Sequence, residues 1–141
     1  MTILSHVLVT ALGVNILNLA GNDVLYAYTF GVLPDLDHIV KIPNYLKDNG
    51  FKFVRKYPWR TFLQEPVMLL PIAVFSLVVA SFVPFLFFGI HLLLDYLISY
   101  EKKPLSPFFG YSTKGIFKNT KDIYKEGFIL LTVVVCLILL S

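Results

Sequence analysis

Two short motifs in this sequence combine residue types that bind metal ions. The segment Gly31–His38, GVLPDLDH, places two carboxylates and an imidazole at the end of an apolar stretch. Further along, His91 and Asp95 are four residues apart, so one face of a helix would carry both. Carboxylate oxygen with imidazole nitrogen suits zinc, and also manganese or iron. The motifs therefore predict a divalent-metal site, with zinc as the first choice of ion.

The first motif also contains a backbone signal. Pro34 disfavours helical geometry at Leu33, so we expect a distorted backbone there. That distortion would let Asp35, Asp37 and His38 turn toward one point, which neighbours on a straight helix cannot do. The alternative is an ordinary polar helix end. For the second motif, the alternative is a His–Asp hydrogen bond that holds a helical bundle together.

The elements that must position these groups are apolar. Hydrophobic residues make up 57% of the 141 residues, and the mean hydropathy is +0.74, whereas soluble domains average about 45–50% apolar residues. A membrane span needs about 20 residues of helix. We predict an all-α protein, a polytopic transmembrane bundle of four to five helices in one domain over residues 1–141. The apolar blocks are Ile3–Leu19, Val24–Leu33, Pro66–Phe82, Val83–Ile98 and Phe128–Leu140.

Breaks between the blocks have turn chemistry. Ala20–Asp23 joins the first two blocks, and Ser81 with Pro84 predicts a hairpin inside the long apolar run. The last block is short for a span, so it either extends back to Ile123, tilts or re-enters the membrane. The N-terminus lacks the basic region and cleavage site of a signal peptide. The single cysteine, Cys136, is expected to be a packing residue.

Positive charge sets the predicted topology. All 12 Lys and Arg residues fall between the second and third blocks or between the fourth block and the last. If each block crosses once, both segments lie on one side, which the positive-inside rule makes cytoplasmic. We predict a multi-pass membrane protein, with the N-terminus and the basic loops 41–60 and 101–126 in the cytoplasm. Basic loops beside anionic lipid account for the net charge of +3, and no nucleic-acid partner is expected.

The first basic segment leaves two interpretations open. Residues 41–58 mix aromatic and aliphatic side chains with Lys and Arg. They fit an amphipathic helix on the surface of the inner leaflet as well as they fit a polar loop.

This topology brings the ionisable groups into one layer at the cytoplasmic interface. Such groups are costly inside a membrane and usually face the interior of a bundle. A histidine taken alone would be a satisfied core residue, but all three histidines of the chain converge with carboxylates, which favours a shared site. The layer contains His6, His38 and His91 together with Asp35, Asp37, Glu65 and Asp95.

This sequence resembles the YdjM-like family in four features. They are the element Gly31–His38, an early His6, Arg60 before the third block, and the pair His91-x-x-x-Asp95. Members of this family are small inner-membrane proteins described as LexA-regulated, membrane-bound metal-dependent hydrolases. The resemblance covers about residues 5 to 110, and the family is similar in turn to zinc-dependent phospholipase C. It implies a metal site made of His6, Asp35, His38, His91 and Asp95, with Asp37 as a ligand or as the partner of one.

The stretch before the third block departs from the family pattern. Arg60 matches, but Trp59 and Gln64 occupy the two positions where the family has histidines. Glu65 could supply the missing ligand as a carboxylate, or it could be a helix N-cap favoured by the helix dipole. A neutral amide is a poor zinc ligand, so the sequence predicts little effect of Gln64→Ala. It predicts that Glu65→Gln lowers metal occupancy or turnover.

The leading hypothesis is a membrane-bound metal-dependent hydrolase that acts on a lipid or another amphiphilic phosphoester. Asp37 or Glu65 is expected to act as general base, and Arg60 to bind an anionic group through its planar guanidinium. The alternative is a non-catalytic membrane bundle, with a structural metal, a hydrogen-bonded polar layer, or an ion or proton pathway. Polar groups gathered at one face argue against a channel.

Overall fold

The computed structural model describes residues 3–50, 64–98 and 122–140, and within these ranges it leaves out the side chains of Asp37 and His38, among others. All the regular elements in these ranges are helical, which confirms the all-α prediction. Two 3₁₀ turns, Leu33–Leu36 and Pro66–Met68, precede the third and fourth helices. The α-helices are α1 (Ile3–Ile16), α2 (Asn22–Val32), α3 (Asp37–Asn49), α4 (Leu69–Val78), α5 (Val83–Ile98) and α6 (Asp122–Leu140).

Within the three described ranges, no helix combines the length and the apolar character that crossing a membrane requires.

Helices end where the sequence predicts breaks. The turn between α1 and α2 contains two residues with positive φ, Asn18 at 49° and Gly21 at 58°. Ala80, with φ of 51°, lies in the turn between α4 and α5. Pro84 is in the first turn of α5, where a missing N–H costs no intrahelical bond. The last helix begins at Asp122, so the last apolar block does extend backwards.

Pro34 tightens the chain instead of breaking it. The backbone runs from α2 through the 3₁₀ turn Leu33–Leu36 directly into α3. Leu33 keeps helical angles, φ −58° and ψ −28°, so the expectation of a non-helical Leu33 was wrong. Its ψ is shallower than the α-helical value of about −42°, because a 3₁₀ turn is wound more tightly. The distortion expected at this motif is therefore present as a change of helix type, and it leaves Asp35 buried.

The helix α3 shows that the first basic segment is helical as far as Asn49. Ile39, Ile42 and Leu46 are exposed along α3, while Tyr45 is buried. That part of the segment is therefore a helix, and its place on the surface of the inner leaflet stays a prediction.

The helices α2 and α5 pack against each other and form the centre of the fold. α4 packs against α5, α1 packs against α2, and α6 packs against α1. One apolar cluster contains Ala27, Val83 and Phe87, and a second contains Ile72, Phe88 and Leu92.

The buried face of α5 changes in character along the helix. Phe87, His91 and Asp95 are each four residues apart and all are buried, so they share one face. The face is aromatic toward the start of α5 and ionisable toward its end. The apolar part therefore fixes the position of the helix, and the ionisable part is carried with it.

The helices α1 and α2 approach closely at Gly31. A Cβ atom at this position would collide with Thr10 Oγ1 and would lie 3.4 Å from Phe87 Cδ1. Thr10 is one helical turn beyond His6 on α1, so the missing side chain of Gly31 allows α1 to bring His6 toward α5.

Candidate metal centre

Four buried side chains from three elements meet in one group, which we call the His–Asp cluster: His6, Asp35, His91 and Asp95. α1 contributes His6, the 3₁₀ turn after α2 contributes Asp35, and α5 contributes the other two. Each residue offers one ligand atom, and the four atoms lie within 4.8 Å of one another. The exposed fractions are between 0% and 3%. The cluster could hold a metal ion.

Three contacts inside the cluster are longer than a typical N–H···O hydrogen bond. His6 Nε2 lies 3.4 Å from Asp35 Oδ2 and 3.5 Å from Asp95 Oδ1. His91 Nε2 lies 3.7 Å from Asp35 Oδ1, so the two oxygens of Asp35 face different histidines. An N–H···O bond is typically about 2.7–3.2 Å long. Among the residues that the structure describes, His6 Nε2 has no hydrogen-bond partner.

The orientation of His91 follows from its contact with the backbone of α2. His91 Nδ1 lies 3.0 Å from the carbonyl oxygen of Gly31. A carbonyl oxygen only accepts, so Nδ1 carries the proton and donates. In the neutral ring this leaves the lone pair on Nε2, the atom that faces Asp35. A metal-ligating histidine typically has this arrangement, in which the second ring nitrogen donates to a fixed acceptor.

The rings of the two histidines also contact each other. The rings of His6 and His91 are stacked, with centroids 4.0 Å apart and an interplanar angle of 24°. The ring of Phe88 is also nearly parallel to that of His91, with centroids 6.4 Å apart. The stacking limits rotation of both imidazoles, so their nitrogens keep their positions relative to the carboxylates.

Gln64 is a neighbour of the cluster that the sequence prediction left out. It is 1% exposed. Its Nε2 donates a hydrogen bond of 2.8 Å to the carbonyl oxygen of Pro34 and makes a longer, weaker contact of 3.4 Å with Asp35 Oδ1. As a neutral amide, Gln64 was not expected to be a metal ligand, and no other role was predicted for it. The sequence signal that Gln64 could lie near the site was its position next to Glu65, at the start of an apolar block.

Glu65 is buried but is not a member of the His–Asp cluster. It occupies the N-cap position of the turn Pro66–Met68, with extended backbone angles, and its side chain makes no capping hydrogen bond. The cap interpretation therefore lacks its usual bond, and the roles of ligand and base stay predictions.

Three other predicted site residues have side chains outside the described part of the structure. The side chains of Asp37 and His38, and the whole of Arg60, lie outside the described residues. Their predicted roles as base, ligand and anion-binding group stay predictions.

The last helix also reaches the neighbourhood of the cluster. Ser5 Oγ, on the residue before His6, donates a hydrogen bond to Glu126 Oε2 of α6. No motif in the sequence indicates this pairing, because its two residues are almost a whole chain length apart.

No protein-family model, curated protein or solved structure matches this chain. The resemblance to the YdjM-like family is therefore carried by the motif residues alone.

Proposed function

We propose that the His–Asp cluster binds a divalent metal ion, zinc in the first place, and that the protein is a membrane-bound metal-dependent hydrolase. The spacing of the ligand atoms is the observation that supports metal binding. Four ligands placed tetrahedrally at about 2.0–2.1 Å from a zinc ion are about 3.3–3.4 Å from one another. Three nitrogen–oxygen distances in the cluster, 3.4, 3.5 and 3.7 Å, are close to this separation, and the first and third involve different oxygens of Asp35.

The charges of the cluster support the same proposal. Asp35 and Asp95 are almost fully buried, and a buried carboxylate is costly unless it is paired or binds a metal. A divalent cation would neutralise both carboxylates while two neutral imidazoles complete the set. The lone pair of His91 Nε2 already faces Asp35, because Nδ1 donates to Gly31.

The hydrolase part of the proposal is supported by the resemblance and by the nearby ionisable residues. A bound metal would supply a water activated near neutral pH and would polarise the oxygen of an ester or phosphoester. We propose Glu65, which follows Gln64 and lies in the described part of the structure, as the general base. Asp37 as a second base and Arg60 as the anion-binding group complete the proposal. A phosphoester with an apolar tail is the proposed substrate class.

The apolar outer surface supports a membrane location. Leu77 of α4 is 81% exposed and Leu139 of α6 is 79% exposed, and large apolar side chains are exposed on every α-helix. Large exposed apolar surfaces typically mark contact with a membrane or with another protein. We propose that α1, α2, α4, α5 and α6 form a polytopic inner-membrane bundle. Its basic segments would lie in the cytoplasm, as the distribution of Lys and Arg predicts.

A second function is favoured by the burial of the cluster. Structural zinc sites are closed and have four protein ligands, whereas catalytic sites keep one position open for water. All four cluster residues are at most 3% exposed. A structural metal that joins α1, the turn after α2, and α5 is therefore the competing proposal.

Metal analysis and an activity assay separate the two proposals. We expect the purified protein to contain about one divalent ion per chain, and to hydrolyse a chromogenic phosphodiester or a phospholipid in mixed micelles. Glu65→Gln should keep the metal and lower turnover by about 10²–10⁴-fold, the usual contribution of a general base. Stoichiometric metal without hydrolysis would support the structural site. Absence of metal from protein purified with added zinc would leave a hydrogen-bonded polar layer and contradict both.

Cysteine labelling in sealed vesicles tests the membrane part. After Cys136 is replaced, cysteines at Lys52 and Lys114 should react from the same side. Labelling from opposite sides would contradict the proposed number of crossings.

A further inference from the structure

Gln64 bridges two acceptors of the segment that carries Asp35. A single nitrogen, Nε2, contacts the Pro34 carbonyl oxygen at 2.8 Å and Asp35 Oδ1 at 3.4 Å. Both neighbours only accept hydrogen bonds, so chemistry requires the NH₂ group of the amide on this side. One amide therefore holds the backbone before Asp35 and the side chain of Asp35 together.

The two oxygens of Asp35 have different neighbours. Oδ1 faces Gln64 and His91 Nε2, whereas Oδ2 faces His6 Nε2 at 3.4 Å. A donor on Oδ1 limits rotation of the carboxylate about its own axis, and thereby sets the direction of Oδ2. Gln64 is 1% exposed, so water competes little with this donor.

We propose that Gln64 is a positioning residue of the metal site, which fixes the Asp35 carboxylate for metal binding without touching the ion itself. This rests on the proposed metal site. Residues that hydrogen-bond to metal ligands orient them, and losing such a residue typically weakens metal binding about 10–100-fold. The expectation from sequence, that Gln64→Ala has little effect, is thereby reversed.

Gln64→Met tests the proposal, because methionine has a similar length and volume but no donor. The test measures zinc affinity by competition with a chromophoric chelator, and the melting temperature of the metal-free protein in the same detergent. We expect the dissociation constant for zinc to rise about 10–100-fold.

Ser81→Ala is the matched control. Ser81 Oγ also donates to a carboxylate, Asp23 Oδ1 at 2.7 Å, at the other end of α2 and α5. A purely structural role for Gln64 predicts that both variants lower the melting temperature and that neither changes zinc affinity. The positioning role predicts that only the Gln64 variant changes zinc affinity. If Gln64→Met does not fold, Gln64→Asn, whose amide is one methylene too short to reach both acceptors, takes its place.

The outcomes keep this inference separate from the proposed function. If the wild type binds zinc and the Gln64 variant binds it equally well, the positioning role is wrong and the metal site stands. If the wild type binds no divalent metal, the proposed function fails and the positioning role fails with it.

Discussion

The two ends of the α2–α5 pair use carboxylates differently. At the start of α2, Asp23 accepts a hydrogen bond of 2.7 Å from Ser81, which precedes α5. At the opposite end, Asp35 and Asp95 face His6 Nε2 at 3.4 and 3.5 Å. The first contact has the length of a hydrogen bond and joins two segments directly, whereas the second set has the spacing of ligands around an ion. The comparison teaches that the same residue types can form a direct hydrogen bond at one end and, at the other, a looser group that could hold a metal ion.

The largest effect on zinc affinity is expected when a residue of the His–Asp cluster is removed. His91→Ala deletes one member of the cluster and leaves the Gly31 carbonyl without its donor. We expect zinc affinity to fall by more than about 100-fold, since even partners of ligands account for 10–100-fold. The measurement is metal content by mass spectrometry together with zinc titration. Unchanged metal content in a folded His91→Ala protein would contradict the His–Asp cluster as the binding site.

Helix packing next to the cluster offers a second test. Gly31→Ala places a Cβ atom against Thr10 Oγ1, and overpacking of this kind typically costs about 1–3 kcal/mol. We expect weaker zinc binding as well, because Gly31 also accepts the bond from His91. Thermal unfolding and zinc titration measure the two effects.

Gly89→Ala is the matched control for that substitution. A Cβ atom at Gly89, inside α5, meets nothing within 4 Å. This variant should be stabilised by about 0.5–1 kcal/mol, because alanine favours a helix over glycine. Adding Thr10→Ala should rescue Gly31→Ala, since it removes the colliding oxygen. Equal stability losses for the two glycine variants would contradict the close approach of α1 and α2.

The smallest effect on stability is expected at the end of the α2–α5 pair that contains Asp23 and Ser81. Ser81→Ala removes the donor to Asp23 and should cost about 1 kcal/mol of the free energy of unfolding. Zinc affinity should not change. A change in zinc affinity here would show that the two ends are coupled, so that the comparison between them no longer holds.

The sequence was sufficient for the helical class and for most of the cluster. The all-α class followed from the apolar blocks, and their breaks followed from turn residues such as Gly21 and from Pro84. His6, Asp35, His91 and Asp95 were predicted to converge, and the structure brings them together. The i, i+4 spacing on α5 and the Pro34 motif are local signals, whereas His6 was added from its depth in the predicted topology and from the resemblance.

Contacts between distant segments could not be predicted in the same way. The bridge from Gln64 to Pro34 depends on how α4 and α2 pack, and no spacing rule relates residues 29 or 30 positions apart. Leu33 shows a second limit. The sequence predicted a local distortion, but only the structure shows that a 3₁₀ turn absorbs it and keeps helical angles at Leu33.

If the His–Asp cluster holds a metal ion, the convergence of α1, the Pro34 turn and α5 on one point has a consequence for the cell. A metal that binds only the native arrangement adds its binding free energy to the stability of the fold, about 2.7 kcal/mol when free metal exceeds the dissociation constant 100-fold. Loss of that contribution is enough to change the steady-state abundance of a protein several-fold through proteolysis. The cellular amount of this protein would then follow the supply of the metal, with no dedicated sensor required.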